Sequence, residues 1–301
     1  MAAALIGRRD VGALTLAAAA WGIGTVVSKR AVEEFPPTSL LSLQLSASLV
    51  ALLLFARLTH TSLRGSPALL ARLGLLNPGL AYALSLIGLA TISASLSVML
   101  WAFEPLLILA LAAVFLGERI TVAFVGLSLF AVAGMTLVLY EPAASGQLVG
   151  IVLTITGVAC CAAYTVIARR FLPGATDATA PVVFAQQAYA LGFALLVVAA
   201  ASAAGGQILP DAITPIGLAS AIGSGVLYYA AAYLFYLSAL RSVPASFASV
   251  SFYLIPIFGI AGAALLLGEH LDARQWLGAV VVLVAVFAIV RPRRAPEAAT
   301  A

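Results

Sequence analysis

S-A-S-L-S-V-M-L-W-A-F-E-P-L-L-I-L-A-L-A-A-V-F-L-G-E-R, residues Ser93 to Arg119, decides how the rest of the chain is read. It is apolar and long enough to cross a hydrocarbon core, which takes about 20 residues of helix. A carboxylate and a proline, Glu104 and Pro105, fall near its middle, and Gly117-Glu118-Arg119 ends it. The same pattern returns 151 residues later. Pro105 falls on Pro256, Leu116-Gly117-Glu118 on Leu267-Gly268-Glu269, Tyr82 on Tyr233 and Ser95 on Ser246. An Ala/Leu-rich composition does not freely supply matched Pro, Gly, Glu, Tyr and Ser. The chain therefore reads as an internal duplication, and a duplicated membrane protein points to a transporter.

Composition agrees. Of 301 residues, 63% are hydrophobic and 9% charged, where soluble domains carry about 25% charged residues. Lipid is the solvent that such a surface tolerates. Strand-like alternation is absent, which argues against a membrane barrel. No basic run suggests nucleic acid. Cys160 and Cys161 are neighbours inside an apolar run and read as small packing residues, because a disulfide needs a particular separation and angle. Arg8-Arg9 and the apolar run after them imitate a secretory signal, but the run continues to Val32 and reads as an uncleaved first span.

The sequence predicts an all-α membrane protein of ten transmembrane helices. The expected spans are Val11–Val32, Ser39–Ala56, Leu75–Ala90, Ser93–Leu116, Thr121–Tyr140, Gln147–Phe171, Thr179–Ser202, Pro215–Leu240, Ala245–Leu267 and Asp272–Val290. With the N-terminus in the cytoplasm, twelve basic residues fall inside and three (Lys29, Arg30 and Arg274) outside. That asymmetry follows the positive-inside rule and favours an even number of spans. Ten spans divide into residues 1–144, a first five-helix repeat, and 145–290, a second one, with a cytoplasmic tail at 291–301. Five is odd, so the second repeat enters the membrane from the opposite side. Thr25-Val26 then corresponds to Thr165-Val166. Inverted-topology repeats surround a central cavity and can exchange conformations, which is how alternating access arises.

Among the carboxylates only Glu104 falls mid-span, where a charge costs about 2.5–3.5 kcal/mol on insertion scales. Ser93, Ser97, Trp101 and Glu104 share one helical face. Glu104 either binds a substrate ammonium group, or carries a proton, or ties two helices as a structural acid. Trp21, Tyr82, Trp101, Tyr164, Tyr228, Tyr229, Tyr233, Tyr236 and Tyr253 lie mostly within spans, whereas belt aromatics belong at interfaces. They are either packing rings or the walls of a cavity. Gln44, Gln186 and Gln187 add amides that bridge helices or orient a polar ligand. Pro105 and Pro256 are the gating hinges expected from this pattern. Glu118 and Glu269 are expected to cap or pair at the membrane boundary. There is no P-loop, no metal-ligating cluster and no nucleophile–base constellation, so no enzyme, cofactor or metal is expected.

Ten spans in five plus five, a proline in the fourth and ninth, and L-G-E closing both resemble the drug/metabolite transporter superfamily, EamA-type branch. Within it the intramembrane aromatics look most like the YddG-type bacterial exporters of aromatic amino acids. The resemblance implies a secondary transporter of the bacterial inner membrane, exporting neutral and aromatic amino acids and working as a monomer. Trp21, Tyr82, Trp101, Tyr164 and Tyr229 would then meet the substrate's apolar part, and Gln44, Ser97, Glu104 and Gln187 its polar ends. One departure is the carboxylate before Pro105, where an apolar residue is expected. A multidrug or quaternary-cation exporter of the same fold is the alternative, since a carboxylate amid rings suits a cation.

Overall fold

Runs of Ala, Leu, Val and Ile carry peptide groups that lipid cannot hydrogen-bond, so each run closes its own bonds as a helix. The computed structural model describes residues 7–89, 91–92, 100–139, 147–175, 178–267 and 272–290, and the regular elements within them are helical. They are α1 (Arg8–Val32), α2 (Pro37–Thr59), α3 (Ala68–Gly74), α4 (Ala81–Leu89), α5 (Glu104–Leu116), α6 (Val122–Leu139), α7 (Leu148–Phe171), α8 (Ala180–Ala203), α9 (Pro215–Gly225), α10 (Ala232–Leu240), α11 (Ala245–Ser249), α12 (Ile255–Leu267) and α13 (Ala273–Val290). Among the described residues, six helical stretches are long and apolar enough to cross a membrane: α1, α2, α7, α8, Pro215–Leu240 and α13. Glu104–Leu116, Val122–Val138 and Ala245–Gly259 are shorter apolar helices. Residues 93–99, 140–146, 268–271 and 291–301, with the predicted Ser97, Glu269 and tail, lie outside the described residues.

Several expected spans are not single helices. The third begins at Ala68, not Leu75, and a wide turn over Leu75–Leu80 breaks it. Asn77 leaves the helical region there (φ −147°, ψ 122°), as the residue before a proline tends to. The Ala81 N–H then reaches back five residues to the Leu76 carbonyl. The eighth span breaks the same way over Val226–Ala231, with the Ala232 N–H on the Leu227 carbonyl. In the fourth, α5 starts at Glu104, so Pro105 occupies its first turn and not the middle of a helix. The proline read from the sequence as lying near the middle of one apolar span thus stands at a helix start, where it sacrifices no intrahelical donor. Pro256 takes the matching place in α12, after a tightened 3₁₀ segment at Val250–Leu254. Gly117 closes α5 in the left-handed region (φ 64°), and the Glu118 N–H donates to the Ala112 carbonyl at 3.2 Å.

From Leu75 onward the elements repeat at a constant interval of 151 residues. The two wide turns, α4 and α10, α5 and α12, and α6 and α13 all correspond end to end. Packing is equally paired. Helix α1 lies against α9, α10 and α12, while α7 lies against α4 and α5; α2 meets α8, and α6 meets α13. Where α1 crosses α12, a Cβ on Gly22 would stand 2.5 Å from the Ile255 carbonyl oxygen, so the two backbones touch. Polar ties close both ends of one crossing pair. Asp10, at the start of α1, accepts from the Ser242 hydroxyl at 2.7 Å. Glu34, past its end, accepts from the Thr214 N–H at 2.9 Å and hydroxyl at 2.6 Å. Ser242 follows α10 and Thr214 precedes α9, so α1 and the Pro215–Leu240 stretch run antiparallel.

Candidate functional site

Rings from both halves of the sequence meet inside this bundle. Trp21 of α1 makes edge contacts to Tyr233, Tyr236 and Phe252, with centroids 5.4–5.7 Å apart. Tyr164 of α7 lies 6.3 Å from Tyr233, and Tyr229 lies 6.5 Å from it. Tyr82 of α4 stacks on Trp101 at 5.7 Å and 27°, and meets Tyr228 and Tyr229 edge-on. These are the separations at which ring quadrupoles attract.

Burial divides the set. Trp21, Tyr164, Tyr229, Tyr233 and Tyr236 are buried, whereas Tyr82, Trp101, Glu104 and Tyr228 are only partly so. Glu104 is the first residue of α5, where unpaired helix N–H groups favour a negative charge. It lies within electrostatic range of Cys161, Tyr228 and Tyr236. Among the described residues no ion pair includes it.

The amides are mostly occupied. The Gln44 Nε2 donates to Ser28 at 2.9 Å and to Ser224 at 2.8 Å, tying α1, α2 and α9 together. Gln186 takes the Tyr164 hydroxyl on its Oε1 and donates to the Leu70 carbonyl, both at 2.9 Å. Gln187 donates at 3.2 Å to the Tyr229 carbonyl, inside the wide turn whose five-residue bonds loosen the helical ladder. The Gln187 Oε1 and the Trp21 Nε1 are buried without a partner. Such orphans are places for a ligand or an ordered water to bond.

Two hydroxyl bridges cross from one half of the chain to the other. The Tyr233 hydroxyl donates to the Asn77 Oδ1 at 3.0 Å, and the Tyr82 hydroxyl to that of Tyr228 at 3.1 Å. Sequence reasoning gave Asn77 no site role and left Tyr228 among rings that either pack or line a cavity. The available signal was the repeat itself: both are the third residue of a wide turn. The ring contacts thus link Trp21, Tyr164, Tyr229, Tyr82 and Trp101 into one cluster through Tyr233, with Glu104 within electrostatic range of Tyr228 and Tyr236, while Gln44 serves a helix–helix bridge. No group of three or more His, Cys, Asp or Glu that could hold a metal occurs among the described residues.

An interior of this kind, enclosed by helices of membrane-crossing length, defines an α-helical multi-pass membrane protein. The sequence pattern of the EamA-like transporter family matches residues 11–140 and again 148–291, and the chain belongs to that family. It is 26% identical over 289 residues to an uncharacterized transporter of Archaeoglobus fulgidus, covering 93% of this chain and 98% of that one. A solved crystal structure at 14% identity superposes with a TM-score of 0.79, over 93% of this chain and 96% of that one, and shares the fold. The family is one of transporters.

Proposed function

We propose that this protein is a secondary transporter of the bacterial inner membrane that exports neutral and aromatic amino acids by alternating access. The observation that carries the cargo is Glu104, a carboxylate without an ion pair among the described residues, within electrostatic range of Tyr228, whose ring meets Tyr82 edge-on. The carboxylate takes the substrate's ammonium group and the rings take its side chain. Ten spans in two inverted five-helix repeats, 1–144 and 145–290, are supported by the double family match and by elements recurring at a fixed interval. The paired packing of α1 on α9, α10 and α12, and of α7 on α4 and α5, is what a two-fold axis in the membrane plane would produce. Both termini are cytoplasmic on this reading, and Pro105 and Pro256 mark the joints at which the fourth and ninth spans change direction.

Uptake of labelled tryptophan and threonine into proteoliposomes tests it, with and without an imposed pH gradient, for wild type and Glu104→Gln. Saturable uptake is expected. Accumulation driven by the gradient and lost in Glu104→Gln assigns proton coupling to that residue; uptake indifferent to both makes the protein a facilitator. No amino-acid uptake by folded protein, with transport of tetraphenylphosphonium, would replace this cargo by the cation alternative. The same unpaired carboxylate among rings is the observation favouring that alternative.

A further inference from the structure

An amino acid brings a carboxylate as well as an ammonium group, and the site must bind both. The basic residues sit at span ends, not mid-span. The amides are poor candidates. Gln44 already donates to two serines. The unpartnered atom of Gln187 is Oε1, an acceptor that would repel a carboxylate. Among the ring-cluster donors, the Trp21 Nε1–H is single and buried, whereas Tyr82 and Tyr228 bring two hydroxyls together in a partly open setting.

A shift of 151 residues carries Asn77 onto Tyr228 and Tyr82 onto Tyr233. The two inter-half bridges, Tyr233 to Asn77 and Tyr82 to Tyr228, therefore occupy equivalent positions in the repeat. They are not equivalent in setting. Tyr233 is 1% exposed and Asn77 6%, whereas Tyr82 and Tyr228 are both partly open. Asn77 brings an amide acceptor to its bridge, so that bond has one direction. The open bridge joins two hydroxyls, each of which can donate, and its oxygens are 3.1 Å apart. Two neighbouring O–H donors can turn from each other onto the two oxygens of a carboxylate. Charge-assisted bonds of that kind are stronger than the neutral bond they replace.

We infer that Tyr82 and Tyr228 form the subsite for the carboxylate of a zwitterionic substrate whose ammonium group is taken by Glu104. The buried Asn77–Tyr233 bridge is its structural mate, a fixed joint between the halves. The repeat has thus kept one bridge for the fold and turned the other toward the cargo. This assignment rests on the amino-acid reading above and adds the groups that recognise the substrate's acid end.

Binding of L-tryptophan and of tryptamine, which lacks the carboxylate, separates the possibilities, measured by calorimetry on the full chain alongside thermal unfolding. Tyr228→Phe and Tyr82→Phe keep the rings and remove one hydroxyl each. Each should weaken L-tryptophan about tenfold or more, as sites built to hydrogen-bond a group depend on it, and leave tryptamine within about twofold. Tyr233→Phe strands the buried Asn77 amide and should lower Tm by several degrees, while Tyr228→Phe lowers it far less. Equal weakening of both ligands overturns the subsite. So does a Tm loss in Tyr228→Phe matching that of Tyr233→Phe with affinity unchanged. Should wild type bind neither compound, the amino-acid cargo itself fails, and the thermal comparison alone then decides whether the open bridge is a joint or an exchangeable contact.

Discussion

Gly22 and Gly12 lie in the same helix, yet they answer to different forces. A Cβ at Gly22 would meet the Ile255 carbonyl oxygen at 2.5 Å and the Gly259 nitrogen at 2.8 Å, both backbone atoms that cannot turn aside. Gly22→Ala should therefore push α1 off α12 and destabilise the fold by about 1–3 kcal/mol, as overpacking does. At Gly12 nothing lies within 4 Å. Gly12→Ala should be neutral or stabilising by up to about 1 kcal/mol, since it removes backbone freedom from the unfolded chain. Thermal unfolding in one detergent compares the two directly, and equal effects would mean the helices do not touch as described. At this scale the sequence was legible for charge and blind to contact. Glu104 stood out because a mid-span carboxylate needs a reason. Gln44 could bridge helices or orient a ligand, and no pattern in the chain announces that Ser28 and Ser224 will meet it.

Carboxylates close helix ends across the two halves. The Glu118 oxygens accept from the Ala245 N–H at 2.7 Å, the Ser246 N–H at 3.0 Å and the Ser246 hydroxyl, and so cap α11. The sequence had assigned Glu118 to a capping or pairing role at the boundary, and the partner is now visible. Glu118→Ala leaves those donors to water or to nothing. It should cost about 1–3 kcal/mol, read as a lower Tm, with Glu118→Gln costing less. Glu34 does the same for α9. Its acidity is raised by the Thr214 hydroxyl first and the Thr214 N–H second, so its pKa falls below the ordinary value of 4.5. A carboxyl depressed in the folded state contributes stability above its ordinary value and loses it as pH falls through the lowered one. Amide exchange at Thr214 and Gly217, corrected for intrinsic rate, should thus be flat from pH 8 to pH 5 and quicken only in stronger acid. The breaks in the third and eighth spans were unevenly legible. Asn77-Pro78-Gly79 is a visible interruption, whereas Val226–Ala231 contains neither Pro nor Gly. That second turn is set by packing against α1 and α2, which hydropathy does not report.

Across the whole molecule, the ties sort helices into bodies that ignore the boundary between sequence halves. Helix α1 is held to the Pro215–Leu240 stretch at both ends, by Asp10–Ser242 and by Glu34–Thr214. Its 25 residues separate those ties by about 37 Å. Two elements fastened at such a distance can neither splay nor slide past each other. The pair should therefore move as one unit, although one member belongs to the first repeat and the other to the second. The Glu118–Ser246 contact is different in kind. It joins the end of α5 to the start of α11, and α5 belongs with α7 by packing, whereas α1 packs on α9, α10 and α12. Alternating access requires some contact of this second kind to open in each cycle. Cysteine pairs tell the two kinds apart. Linking Asp10→Cys to Ser242→Cys, or Glu34→Cys to Thr214→Cys, should leave transport in proteoliposomes within about twofold, because the linked parts do not separate; linking Glu118→Cys to Ser246→Cys should stop it until the bond is reduced. Inhibition by the first two links, or full activity with the third, would show that the moving bodies follow the repeats and that α1 parts from its partner during the cycle.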